Sequence, residues 1–142
     1  MFGSDLKGAL RSVSAGLAMT VLASGGAQAQ SAQESVDAVS DAVYAALNTM
    51  LEGTPVSEQI APLWLDGESV TALHPIGGRD IGLSTLLGAF DGVASLASDG
   101  EIALADQAIA VFGDTAVETG TEVGRATLAG EEIALEYRVT NV

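Results

Sequence analysis

Residues 101–142 read EIALADQAIAVFGDTAVETGTEVGRATLAGEEIALEYRVTNV, and their alternation of apolar and polar side chains indicates β-structure. The dipeptides Gly113-Asp114 and Ala129-Gly130 have the length and composition of two-residue hairpin turns. They divide the stretch into three strand-like segments: 101–112, 115–125 and 131–142. The pattern therefore predicts an antiparallel meander of three strands.

The sequence before the meander has helical periodicity. From Ser31 onward, apolar residues recur at spacings of three and four, and Ser31 with Glu34 has the form of a capping box. This predicts a first helix that begins at Ser31 and ends near Glu52, before the helix-breaking sequence Gly53-Thr54-Pro55.

Shorter elements are expected next. Ser57 is placed to cap a short second helix, which ends before the Asp66-Gly67 turn. The Val and Thr content of residues 69–73 predicts a strand. Pro75 and two adjacent glycines then predict a loop over residues 74–80.

A third helix is expected over about residues 82–98. It is predicted by one apolar stripe, made of Leu83, Leu86, Leu87, Phe90, Val93 and Ala97. Gly88 and Gly92, one turn apart, are interpreted as positions that let this helix approach the sheet or a partner closely. Helices followed by antiparallel strands predict an α+β fold, with the helices on one face of a curved antiparallel sheet.

The N-terminus has the organisation of a secretory signal peptide. Lys7 and Arg11 form a basic start, residues 12–26 an apolar stretch, and Ala27-Gln28-Ala29 an A-x-A cleavage site. The apolar stretch is short for a membrane-spanning helix, which needs about 20 residues. We expect cleavage after Ala29, a periplasmic or secreted location and one mature domain of residues 30–142; a buried first helix is the alternative.

The charge is strongly negative, with nineteen Asp and Glu against five Lys and Arg and a net charge of −14. Loss of Asp5, Lys7 and Arg11 with the signal peptide leaves about −15. Such a charge repels nucleic acid and anionic lipid, so neither nucleic acid nor a membrane is an expected partner. The chain has no cysteine and a single histidine, His74. We therefore expect no metal and no cofactor, and any acid–base chemistry to depend on one imidazole.

Several short motifs, taken in order, resemble one superfamily. They are Leu63-Trp64 before Asp66, VTALHPIGGR at 70–79, DIG at 80–82 before a helix with Phe90, GDTAV at 113–117 and YRVTNV at 137–142. The chain resembles the nuclear transport factor 2-like superfamily, and within it the bacterial SnoaL-like and ketosteroid isomerase-like branch. The resemblance implies a cystatin-like fold, in which a cone-shaped curved antiparallel sheet is wrapped around a long N-terminal helix.

The same resemblance implies partners. It implies an apolar pocket at the open end of the cone for a small apolar molecule, and a homodimer formed through the outer face of the sheet. Members of the superfamily continue past the strand that here ends at Val142 into one more strand. We expect either a shortened chain or a partner on the exposed sheet edge, since an unpaired edge favours association.

Two polar side chains acquire catalytic roles from the resemblance. In ketosteroid isomerase the position that matches His74-Pro75 carries an Asp-Pro general base, so an imidazole stands where proton abstraction would occur. Tyr44, on the first helix, resembles the tyrosine that donates to the enolate oxygen, with an offset of about one residue or more. The replacement of Asp by His means that isomerase activity itself is not implied. A rim or dimer-contact histidine and a tyrosine with a buried ring and a wet hydroxyl are the alternatives.

Four further residues are candidates for lining the pocket: Trp64, Arg79, Phe90 and Asp106. Trp64 would stack on a ligand or pack in the core, and Arg79 would hold a carboxylate or carbonyl group or pair with Asp80 or Glu68. Strand alternation points Asp106 into the cone, whereas a bulge would turn it outward.

Two hypotheses from different classes follow. The first is a small exported enzyme that uses His74 as a general acid or base on an apolar carbonyl compound, as an isomerase, cyclase or dehydratase without a cofactor. The second is a noncatalytic ligand-binding or dimerisation module.

Overall fold

A computed structural model of the chain describes residues 18–74 and 78–142, with side chains from residue 29 onward. Helices dominate the first part and a long antiparallel sheet the second, so the predicted α+β class is confirmed. In chain order the elements are α1 (Ala18–Leu51), α2 (Ser57–Ile60), a 3₁₀ turn (Ala61–Leu63), β1 (Thr71–Leu73), β2 (Arg79–Ile81), α3 (Leu83–Leu96), β3 (Ala97–Phe112), β4 (Thr115–Leu128) and β5 (Glu131–Asn141).

The predicted meander is confirmed. Strands β3, β4 and β5 lie in that order in one antiparallel sheet, and β1 and β2 form a separate antiparallel hairpin. Phe112 pairs with Thr115 and Leu128 with Glu131, so both predicted turns connect strands through two residues. The sheet begins earlier than predicted, because Ala97 already pairs with Leu128 and ends α3.

Helix α1 begins well before Ser31, so the predicted start is wrong. The Ser35 hydroxyl donates to the Ser31 carbonyl oxygen at 2.9 Å, which is the bond of a helix interior. A capping box starts a helix only where the preceding backbone is not helical, and residues 27–30 are good helix formers. The signal peptide stays a prediction, and its basic start lies outside the described residues. None of the described helices combines the length and the apolar character needed to cross a membrane.

The core lies between the C-terminal half of α1 and the sheet. Its buried residues are Tyr44, Ala46, Leu47, Met50, Leu51, Val56, Ile60, Ala94 and Ala126. Asn48 bonds this helix to β3 in both directions: its Nδ2 donates to the Ile102 carbonyl oxygen and the Ile102 N–H donates to its Oδ1, each at 2.9 Å. The side-chain amide of Asn48 thus satisfies two backbone groups of β3 that a neighbouring strand would otherwise bind.

Helix α2 is capped by another helix rather than by Ser57. Oδ1 of Asp91, on α3, accepts hydrogen bonds from the backbone N–H groups of Val56 at 2.9 Å and Ser57 at 3.0 Å. Hydrogen bonds from the Ser57 side chain and the Val56 amide hold the pKa of Asp91 below its usual value. The expected Ser57 cap is therefore wrong: Ser57 is already the first residue of the helix, and a carboxylate distant in sequence accepts from the amides at its start.

Candidate functional site

His74 and Asp80 form a hydrogen-bonded pair at the turn end of the β1–β2 hairpin. Ala72 pairs with Asp80, and His74 lies two residues further on the same face of the hairpin. The His74 Nε2 atom is 2.7 Å from Oδ2 of Asp80. The predicted loop over 74–80 is thus wrong at its end, where β2 has begun, and residues 75–77 lie outside the described residues.

The pair has the geometry of a base with a positioning carboxylate. The side chains of His74 and Asp80 are 28% and 21% exposed, so a small molecule can still reach the imidazole of His74. In the tautomer that donates Nε2–H to Asp80, Nδ1 keeps its lone pair and can accept a proton. The carboxylate then fixes the ring orientation and stabilises the imidazolium. The partner of the His74 ring is thus a carboxylate.

Tyr44 is buried, and its hydroxyl is already bonded to a carboxylate. It donates to Oε1 of Glu122 on β4 at 3.1 Å. Burial, followed by the charge of Glu122, raises the pKa of Tyr44, and burial also raises the pKa of Glu122. Tyr44 therefore contacts the long sheet, whereas His74 has its partner in the separate hairpin, so the two candidate catalytic residues are not bonded to a common partner.

A second carboxylate, that of Glu118, is buried and lies four residues before the half-buried Glu122 on the same face of β4. Its Oε1 accepts from Gln107 Nε2 at 2.8 Å and its Oε2 from Asn141 Nδ2 at 2.7 Å. The two amides come from the strands on either side, so this carboxylate joins β3, β4 and β5. Sequence alternation indicates that Glu118 and Glu122 share a face, but it does not indicate which face is buried.

Replacement of Glu122 by Gln is expected to flatten the pH dependence of stability. The folded chain raises the pKa of Glu122 above its unfolded value of about 4.5, so the folded state binds a proton that the unfolded state releases. Stability therefore falls as pH rises from 4.5 through the folded pKa. Glutamine keeps an oxygen that accepts from Tyr44 and removes the charge.

Urea denaturation at pH 4 and pH 7 tests this expectation. Glu122→Gln should have a higher midpoint than the natural chain at pH 7, and the difference should shrink at pH 4. Glu131→Gln, at an exposed glutamate, is the matched control and should not reproduce the effect. A lower midpoint for Glu122→Gln at pH 7 would contradict the argument.

Trp64 and Phe90 are half-buried and pack against the core, which agrees with the packing alternative for Trp64. Arg79 is exposed on β2 and forms no ion pair within 18–74 and 78–142. One of the two partners considered for it, Asp80, is bonded to His74 instead. The role of these side chains in ligand binding stays a prediction.

Asp106 is exposed, so of its two expected orientations the inward one is wrong and the outward one, produced by a bulge, is correct. The pairing of β3 with β4 shifts between Ala105 and Ala108, and Asp106 has a φ of 53° in the left-handed region. This bulge interrupts the alternation of the strand and turns the carboxylate to the outside.

Two open grooves lie between α1 and the sheet. The larger is about 520 Å³, is mainly polar, and is lined by Gln30, Gln33, Glu34, Asp37, Gln107, Ala108 and Ile109. The other is about 440 Å³ and is lined by Asn48, Glu101, Ile102, Ala103, Val123 and Gly124. In the described part of the chain, no three acidic or histidine side chains are grouped to hold a metal ion.

Of the comparisons with known proteins, only the one with solved structures finds similar chains. No family model matches the chain, and no curated protein matches it. Among solved structures it is similar to a proposed dehydratase of the nuclear transport factor 2-like family from Streptomyces avermitilis, with a TM-score of 0.65 and 24% identity over 76% of this chain and 80% of that one. It is also similar to the CaMKII hub of S. rosetta, with a TM-score of 0.47 and 24% identity over 71% of this chain and 79% of that one. The similarity to the Streptomyces avermitilis structure shows that the chain has the nuclear transport factor 2-like fold that its motifs predicted.

Proposed function

We propose that this protein is an exported, cofactor-free enzyme of the dehydratase or isomerase type that acts on small carbonyl compounds. The observation that carries the proposal is the 2.7 Å hydrogen bond between His74 Nε2 and Asp80 Oδ2 in a partly exposed hairpin. The similar structure from Streptomyces avermitilis is described as a proposed dehydratase, which agrees with this chemistry. His74 is the catalytic residue in this proposal, and Asp80 is a positioning residue.

For a β-hydroxy carbonyl substrate, the proposed reaction is the elimination of water. Nδ1 of His74 takes the proton on the carbon next to the carbonyl group, and the electrons of that C–H bond form the new C=C bond. The bond from the β-carbon to its hydroxyl breaks, and the leaving oxygen takes the proton back from the imidazolium as water. Asp80 stabilises the imidazolium between the two steps. With no leaving group, return of the proton to another carbon gives isomerisation.

A chromogenic elimination tests the proposal directly. 4-Hydroxy-4-phenyl-2-butanone loses water to give a conjugated ketone whose ultraviolet absorbance reports the rate, and deuterium exchange next to the carbonyl reports the first step alone. We expect His74→Gln to lower both rates about 100-fold or more, the usual range for loss of a general base. Asp80→Asn should lower them less and shift the pH profile.

Glu68→Gln is the matched control, since Glu68 is an exposed acid just before the hairpin. It should leave both rates unchanged. Rates that are equal in the natural chain and in His74→Gln, with both chains folded, would refute the enzyme proposal.

A noncatalytic binding module is the second candidate. It is favoured by the larger groove, which is polar and contains neither His74 nor Asp80. Under this alternative, a ligand raises the melting temperature of the natural chain and of His74→Gln equally and is recovered unchanged.

A further inference from the structure

Strand β3 has a second edge that helix α1 covers only in part. β4 pairs with one edge of β3, and no strand among the described residues pairs with the other. Two side-chain amides of α1 reach this second edge. Asn48 bonds the N–H and the carbonyl oxygen of Ile102, and further along Gln33 Nε2 donates to the Ile109 carbonyl oxygen at 3.2 Å. The backbone of this edge is therefore accessible to amide groups that lie beside it.

The edge is open on either side of the Gln33 bond. Phe112 and Thr115 flank a two-residue turn, so they bond each other, and the backbone groups of Val111 point away from β4. The same alternation places the N–H of Ile109 on the free edge, beside its carbonyl group. The N–H groups of Ile109 and Val111 have no acceptor within 18–74 and 78–142. Such an edge can pair with an added strand.

The groove beside this edge is acidic. It is about 520 Å³ and lies between residues 107–109 of β3 and the face of α1 that carries Gln33, Glu34 and Asp37. Both carboxylates are exposed, and neither forms an ion pair in the described part of the chain. With a net charge of −14 on the chain, the field favours a positively charged partner and disfavours a second copy of this chain.

We propose that the free edge of β3 and the acidic face of α1 form a docking site for an extended, basic peptide segment of another protein. The segment adds to β3 as an antiparallel strand, and its residues opposite Ile109 and Val111 point their side chains towards α1. Side chains at alternate strand positions are about 7 Å apart, and Glu34 and Asp37 are about 4.5 Å apart along the helix axis. Two flexible basic side chains at alternate positions therefore reach both carboxylates.

The residues between the basic ones face the other side of the sheet. There β3 exposes Ala108, Ala110 and Phe112, and Phe112 is 67% exposed. Apolar cross-strand pairs stabilise a sheet, so the peptide that fits this edge alternates basic and apolar residues.

Fluorescence anisotropy with a labelled peptide tests the charge requirement. The probe is the end-blocked peptide TKVKVKT, and TEVEVET is the acidic control, both in about 0.15 M salt. The natural chain should bind the basic probe and not the acidic one. A chain with both Glu34→Lys and Asp37→Lys should bind the basic probe at least about tenfold more weakly, because two attractions become two repulsions.

The matched control is a chain with both Glu131→Lys and Glu132→Lys. It makes the same change of net charge at exposed positions of β5, at the opposite end of the sheet from the groove. Because charges at that distance are screened, it should weaken binding by no more than about twofold. Circular dichroism establishes that both chains are folded.

Two further measurements separate strand addition from attraction of charge alone. A probe methylated at the backbone nitrogen of each lysine keeps its charge but lacks the N–H groups that face β3, so it should bind at least about tenfold more weakly. Amide hydrogen exchange at Ile109 and Val111 should slow when TKVKVKT binds, because both N–H groups then have acceptors.

The proposal is overturned if the natural chain does not bind TKVKVKT, or if the Glu34 and Asp37 exchanges weaken binding no more than the control does. Equal binding of the methylated probe, or unchanged exchange at Val111, overturns it as well. His74→Gln should bind the probe as the natural chain does. The peptide site goes beyond the proposed enzyme, and each can fail without the other.

Discussion

Substitution of Ala for Gly124 is expected to destabilise the protein by at least about 3 kcal/mol, near or above the upper end of the usual cost of overpacking a core. Gly124 lies on β4 opposite Ile102 of β3. A Cβ atom at this position would overlap the carbonyl oxygen of Glu101 and lie 3.0 Å from the Cα atom of Ile102. These neighbours are backbone atoms, so β3 and β4 would have to separate. Such a loss is a large part of the 5–15 kcal/mol that is typical of a domain.

Urea denaturation followed by the fluorescence of Trp64 measures this effect. Gly88→Ala is the matched control: Gly88 lies on helix α3, and a Cβ atom there meets nothing within 4 Å among the described residues. The control should stabilise the chain by about 0.5–1 kcal/mol, because alanine favours a helix more than glycine does. If Gly124→Ala had the stability of the natural chain, the close approach of β3 and β4 would be disproved.

The contrast between these glycines illustrates what sequence can predict. Spacing on one helix face suggested that Gly88 and Gly92 allow close packing against the sheet or a partner, and within the described chain both positions are open, so the sheet is not what they approach. Gly124 carries no such pattern, because a glycine in a strand acquires its meaning only from the strand beside it. The meander itself was predictable, since its alternation and its two-residue turns are local features.

The candidate site likewise has features that could be predicted from the sequence and features that could not. His74 was identified from its place before Pro75. Its bond to Asp80 depends on the β1–β2 hairpin, which was not predicted because the proline and the glycines of this segment indicated a loop. The Tyr44–Glu122 bond joins residues 78 positions apart, so it requires both the strand register and the position of α1. The two alternatives for Asp106 could not be decided from the sequence, because a bulge shifts the alternation without any sequence signal that we recognised.

Substitution of Leu for Asn48 is expected to cost about 2–4 kcal/mol, because it leaves backbone groups of β3 without partners. The side chain of Asn48 bonds both the N–H and the carbonyl oxygen of Ile102, each at 2.9 Å, and also donates to the Tyr44 carbonyl at 2.8 Å. Leucine is similar in size but satisfies none of these atoms. The two bonds to Ile102 are partly buried, and an unpaired buried backbone group costs about 1–3 kcal/mol, so the loss of these two bonds dominates.

Two measurements separate this explanation from a general loss of packing. Amide hydrogen exchange should accelerate at Ile102 in Asn48→Leu more than at strand residues that pair with β4, because the amide of Ile102 loses its acceptor. Thr49→Ala is the matched control: the Thr49 hydroxyl donates only to the Ala45 carbonyl oxygen within α1, at 3.1 Å. Its removal should change the free energy of unfolding by no more than about 0.5 kcal/mol. Unchanged exchange at Ile102 in Asn48→Leu would show that the contact between α1 and β3 is held by apolar packing alone.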